Sequence, residues 1–159
     1  MSSLQLTYDE IFESFLGSIT DYNLASLSPS DAFQLMAGYL RKAISKSYVK
    51  RLFSASRLND ETQIFSFTLK HPATDETDED QLDFVKGVAC KSMIIEWCEP
   101  QVKKTTNMAQ LFGGKEQSFY SQSQHLSQLR ELLADTKAEL RQELGDRGVV
   151  VNTYLGTTV

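Results

Sequence analysis

Hydrophobic positions in the first third of the chain recur at helical spacing. Thr7 and Glu10 frame a capping box ahead of Ile11, Phe12, Phe15 and Leu16, the apolar face of a short helix that Gly17 ends. Ser28-Pro29-Ser30-Asp31 opens a second helix. Ser28 caps it, Pro29 suits the first helical position, and Asp31 complements the dipole. Phe33, Met36, Leu40 and Ile44 then form one amphipathic stripe that runs out near Ser47. The period changes to two over residues 63–69, QIFSFTL. There Phe65, Phe67 and Leu69 alternate with Ser66 and Thr68, which predicts a half-buried strand or hairpin on a helical body, ended by His71-Pro72.

Beyond an acidic loop at 73–80, ATDETDED, Asp80 is placed to cap a third major helix. From Val88 onward its apolar positions, among them Ala89, Met93, Ile94, Ile95 and Trp97, cover nearly the whole circumference, so this helix is expected at the centre of the fold. Pro100 is expected to break or bend it. A weaker helix follows to about 111, stopped by Gly113-Gly114. Residues 115–145 carry the longest signal, a roughly heptad stripe of Phe119, Leu126, Leu129, Leu133, Leu140 and Leu144 with no internal Gly or Pro. Such a helix spans about 45 Å, more than its own core needs, and is expected to pack on a further surface. Residues 149–159, VVVNTYLGTTV, are β-branched and uncharged: a frayed tail, or a strand that awaits a partner. The predicted fold is therefore mainly α. It is a small helical bundle with one long C-terminal helix, a short strand or hairpin around 63–69, and a strand-like tail. The domain covers 1–147 and a C-terminal arm covers 148–159.

Composition adds exclusions. Apolar residues at 41% and charged residues at 23% rule out wholesale disorder, and 159 residues suit one domain. A net charge of −5 argues against a protein that grips nucleic acid, though not against one that lets DNA pass. Cys90 and Cys98 lie eight apart, which on one helix is about 12 Å of rise, too far for a disulfide. They read as buried free thiols, in keeping with synthesis in a reducing cytosol. The N-terminus has no basic n-region or long apolar run, so no signal peptide is expected, and no stretch reaches the ~20 apolar residues of a membrane span.

Candidate chemistry is sparse. His71 and His125 have no Cys partners at zinc spacing, and no base lies near a nucleophile in sequence. Asp75, Thr77 and Glu79 mimic the start of a calcium loop, but Asp80 stands where glycine is required and Lys86 where the bidentate Glu belongs. Gly113-Gly114-Lys115 lacks the spacing of a phosphate-binding loop. No catalytic residue, cofactor or metal is expected.

Charge is more informative. Arg41, Lys42, Lys46, Lys50, Arg51 and Arg57 occur with no acidic residue among them; Asp75, Glu76, Asp78, Glu79, Asp80 and Asp83 occur with no basic one. These are solvated faces, or a basic surface on one subunit that meets an acidic one on the next. On the long helix, Glu131, Asp135, Glu139 and Glu143 form an acidic ridge, while Arg130, Lys137 and Arg141 form a basic one. The ridges lie roughly 160° apart, on either side of the leucine stripe. Like charges at i,i+4 repel, so a helix built for its own stability would interleave the signs. Segregated flanks suit a head-to-tail, heterologous ring contact.

Three segments are similar to a known family: 19–25, ITDYNLA; 94–100, IIEWCEP; and 119–126, FYSQSQHL, with Trp97, Pro100, Phe119, Tyr120, Ser121, His125 and Leu126 as the most specific positions. Together they resemble the head–tail connector (adaptor, or head-completion) proteins of tailed bacteriophages, over about residues 8–144. The resemblance implies a small, mostly helical neck protein of the virion. It would form a ring beneath the portal, expected to be twelve-fold like the portal, and would receive the stopper or tail-completion protein. Genome DNA would pass through its channel without sequence-specific binding, and no membrane is involved. The tail departs from the family's short aromatic end. Its Val149, Val150, Val151, Tyr154 and Leu155 are candidate arm residues for pairing with a neighbouring subunit, portal or stopper. The alternative is a small helical protein-binding adaptor or regulator, monomeric or dimeric, that works through the long helix.

Overall fold

The computed structural model describes residues 3–73, 75–111 and 116–146, with side chains outside positions 22 and 105–123. The element order is β1 (Leu4–Thr7), α1 (Tyr8–Ser18), α2 (Tyr22–Ser26), α3 (Pro29–Ser45), α4 (Ser47–Lys50), β2 (Phe53–Asn59), β3 (Ile64–Leu69), α5 (Asp78–Leu111) and α6 (Glu116–Asp146). The fold is mostly helical, as the pattern of apolar positions implied, with a small antiparallel sheet ordered β1-β3-β2. The proposed boundary at 147/148 and the arm 148–159 lie outside the described residues.

Both early helix starts form as expected. Thr7 Oγ1 accepts from Glu10 N, and Glu10 returns a carboxylate to Thr7 N at 2.9 Å. Ser28 accepts from Asp31 N, with Pro29 in the first turn of α3. The first end signal is displaced: α1 passes through Gly17 and stops at Ser18, and Leu16 stays 45% exposed instead of joining the apolar face. At α5 the capping roles are exchanged. Thr77 is the cap and Asp80 its return partner, through Asp80 N to Thr77 Oγ1 and Thr77 N to Asp80 Oδ2.

The sheet is larger than the single strand or hairpin expected. β3 is its central strand, with Phe65, Phe67 and Leu69 buried on one face. β1 pairs with it in the register Leu4↔Phe67 and Leu6↔Phe65, and β2 pairs on the other side with an irregularity between Phe53 and Ala55. The β2–β3 turn is held by Asn59 Oδ1, which accepts from Glu61 N and Thr62 N. It closes through Gln63 in the left-handed region, φ 56°. Phe53, Phe65 and Phe67 cluster with centroids 5.3–5.7 Å apart.

α5 is the central helix. Val85, Val88, Ala89, Met93, Ile94, Ile95, Trp97 and Cys98 are all buried. α1, α3, β1 and α6 all pack on it. Pro100 does not break the helix, which continues to Leu111. Proline forfeits one i→i−4 hydrogen bond, but packing on both sides of it holds the backbone. Cys98 Sγ donates to Leu129 O at 3.3 Å just before it, and Val102 packs on the core just after. α6 runs along α5 through buried Leu129, Thr136 and Leu140, with Leu126, Leu133 and Leu144 half-buried. Its leucine stripe is thus covered in part within the chain, most fully at Leu129 and Leu140.

Candidate interaction surfaces

Two of the three family-like segments meet in space. Asp21 caps α2 through Oδ1, which accepts from Asn23 N at 2.9 Å and Leu24 N at 3.1 Å. Its other oxygen, Oδ2, accepts from Trp97 Nε1 at 2.7 Å. One carboxylate therefore starts a helix and neutralises the polar edge of a Trp that is otherwise buried, 4% exposed. Pro100 is exposed one turn further along α5. In the third segment, His125 is exposed and Leu126 half-buried. Phe119, Tyr120 and Ser121 lie on α6, with side chains outside those described.

The charged flanks of α6 meet different parts of its own body. On one flank, Asp135 and Glu139 border a recess shared with Ser14, Ser18 and Gly87, toward α1. Glu143 on that flank is half-buried and pairs with Lys91 of α5. On the other flank, Lys137 pairs with Glu99 at 3.1 Å, and Arg141 faces α3 and α4. α5 thus carries a cation toward the acidic ridge and an anion toward the basic one. Part of the segregation is matched within the chain, by residues 38 and 52 positions upstream. Arg130, Glu131, Asp135, Glu139 and Arg141 remain exposed. Val149, Val150, Val151, Tyr154 and Leu155 lie outside the described residues.

The basic segment divides similarly. Arg41 pairs with Asp60 at 2.7 Å, and Lys46 with Glu96 at 3.1 Å. Asp60 also accepts from the Tyr8 hydroxyl at 2.7 Å, tying the start of α1 to the β2–β3 turn. Burial, then this bond to a carboxylate, raises the Tyr8 pKa. Lys42, Lys50, Arg51 and Arg57 are exposed, on α3, on or just after α4, and on β2.

A groove of about 400 Å³ lies between α6 and the α3–α4 junction. Ile95, Leu140 and Leu144 give it an apolar lining, and Lys46, Glu96 and Arg141 give it polar groups of both signs. Burial, then the Glu96 charge, raises the Tyr48 phenol at its edge. The hydrogen bond from Lys46 to Glu96 raises the lysine.

Among the described residues no cluster of His, Cys, Asp and Glu could hold a metal ion, and no helix is long and apolar enough to cross a membrane. Cys90 and Cys98 are free and buried, as their spacing implied. Burial, then Glu99, raises the Cys98 thiol, away from nucleophilic character. Compared with known proteins, the chain matches no family model, no curated protein and no solved structure.

Sequence reasoning missed Lys91, Glu96 and Glu99 as partners of α6 and α3, and Asp21 as a shared acceptor. Asp21 had a local signal, an Asp immediately ahead of the short helical turn Tyr22–Ser26. The α5 partners had none, since they depend on which helix lies beside α6.

Proposed function

We propose that the chain is a structural ring protein of a bacteriophage neck, a head–tail connector that docks under the portal, extends the DNA channel and receives the stopper or tail. The observation that carries this reading is the sidedness of exposed charge. Glu131, Asp135 and Glu139 stand on one flank of α6, toward α1. Arg141 stands on the other, toward the α3–α4 side, where Lys42, Lys50 and Arg51 are also exposed. Two complementary surfaces on different sides of one body are what a heterologous, closing contact needs. Segments 19–25 and 94–100, two of those that carry the resemblance, are joined by the hydrogen bond from Trp97 to Asp21. A net charge of −5 suits a lumen through which DNA slides without adhering.

The test is native mass spectrometry and negative-stain microscopy of the full chain, alone and with portal rings, at low and high salt. Rings that follow the portal's symmetry, weakened by salt, are expected. A chain that stays monomeric at high concentration and on portal rings would overturn the reading.

A further inference from the structure

β2 is an open edge of the sheet. In the order β1-β3-β2 it has a neighbour on one side, and among the described residues no strand pairs with its outer edge. After the irregularity between Phe53 and Ala55, the residues from Ala55 to Asn59 keep continuous register with β3. Alternate residues of an antiparallel strand direct their N–H and C=O groups to opposite sides, so about half of that stretch offers both groups outward. Edges of this kind are commonly blocked by proline, lysine or a bulge. Here Arg57 is the single charge between Phe53 and Asn59, no proline occurs, and the irregularity lies at one end. Ser54, Ala55 and Ser56 are small and exposed, so another backbone can approach closely. The opposite edge, β1, is four residues long and lies against α1 and α5.

Register decides which side chains share a face, because residues paired across a ladder point to the same side. Ser56 pairs with Phe67 and Leu58 with Phe65, so both stand on the core face. Phe65 and Phe67 are buried, whereas Ser56 is exposed and Leu58 half-buried. The apolar layer therefore ends at β2 with its margin uncovered. Arg57 pairs with Ser66 on the other face and forms no salt bridge among the described residues. Arg51 is exposed just before the strand, and exposed Lys70 is held beside its start by a hydrogen bond from Lys70 N to Leu52 O at 2.8 Å. At the far end Asp60 is held by Arg41 and Tyr8, which leaves Glu61 in the turn. The edge is cationic at its start and middle.

We infer that β2 accepts a fourth strand from a partner protein, an extended segment in which apolar and acidic residues alternate. The open backbone edge supplies the hydrogen bonds of strand addition, and the two faces supply the selectivity. Apolar side chains of the incoming strand extend the row from Phe67 through Ser56 and cover Leu58. Its carboxylates meet Arg57 on the other face. The inference stands on the sheet and does not rest on ring formation, so each can fail without the other.

The probe is a synthetic peptide, acetyl-Thr-Val-Glu-Val-Glu-Val-Thr-amide, titrated into the full chain and followed by amide NMR. The largest shifts should fall on residues 54–58. A peptide with Lys in place of Glu should bind more weakly. Arg57→Glu should weaken the Glu peptide by about tenfold, as an attractive cross-strand pair becomes a repulsive one, and should make the Lys peptide the better ligand. Because Arg57 is exposed, the variant should melt like the parent chain. Two further peptides carry backbone N-methyl groups, one on every Val and one on every Glu, and at least one of them should lose binding. No shifts at about 1 mM peptide, the weak end of specific association, would overturn the proposal, as would shifts centred on another element. An unchanged preference in Arg57→Glu would overturn it too, as would full binding of both N-methylated peptides, which would reduce the contact to charge alone. Shifts over 54–58 on concentrating the chain without peptide would overturn it in favour of a second copy at the edge.

Discussion

Asp21 shows how much can rest on one side chain. Its Oδ1 starts α2 and its Oδ2 receives the Trp97 indole, so removing either partner exposes the other to an unmet polar requirement. Trp97→Ala should cost about 3–5 kcal/mol, as large core truncations do. Trp97→Phe keeps most of the apolar volume and should cost about 1–3 kcal/mol through the orphaned carboxylate. A double-mutant cycle with Asp21→Ala, read by denaturant midpoint, should show a coupling of about 0.5–3 kcal/mol. Additive effects would mean that the hydrogen bond contributes nothing. Glu10 supplies a pH signature. Hydrogen bonds from the Thr7 backbone and side chain hold its carboxyl below the ordinary glutamate range. With the folded value depressed, its contribution is fully present above the unfolded pKa and is lost as pH falls through the lowered folded one. Glu10→Gln should flatten that part of the acid limb by at most about 1 kcal/mol, since the group is exposed. An unchanged acid unfolding profile would show that the capping box adds no pH-dependent stability. These local devices were the most legible features in the sequence. A Thr or Ser three residues before a carboxylate satisfies backbone donors wherever the helix lies.

Among the secondary-structure elements, helices with a one-sided apolar stripe were readable, and so was β3 with its strict alternation. β1 and β2 were not. β1 is only four residues long, and β2 buries only Phe53 fully while residues 54–57 are exposed. β1, LQLT, alternates over too few residues to stand out, and β2 carries no alternation, so the pairing of both is decided by β3. Pro100 shows the opposite failure, a strong local signal overruled by packing. The helix continues because α6 and the core hold residues on both sides of it. Since Pro100 is exposed and withholds a backbone donor, Pro100→Ala should raise stability by about 1–3 kcal/mol. The comparison is by chemical denaturation. A loss of stability would show that α5 needs a proline-induced bend to meet its neighbours.

For the whole molecule, the opposed flanks of α6 were visible along the chain, but their intramolecular partners were not. Lys91 and Glu99 sit on α5 and become partners of Glu143 and Lys137 only once the two helices lie side by side. The fold thereby narrows the surface left for a neighbour to Glu131, Asp135 and Glu139 on the acidic side. These three are exposed, so the charges there cost little in the monomer and contribute little to it. They act strongly only against a complementary surface close enough to escape screening, within about 8–10 Å at physiological ionic strength. Asp135→Lys with Glu139→Lys should therefore leave circular dichroism and melting nearly unchanged. Ring formation and portal docking should fall steeply, with the salt dependence of any remaining association weakened or reversed. Lys42→Glu with Lys50→Glu places the same change on the basic surface and should produce the same loss. Mixing the two reversed chains should restore association, because one chain then carries two basic faces and the other two acidic faces, so both head-to-tail junctions between unlike chains are attractive and rings that alternate the two can close. Alternating rings in the mixture, absent from either variant alone, would identify the two surfaces as partners in a head-to-tail contact. Assembly unaffected by either reversal would leave both ridges as solvated faces.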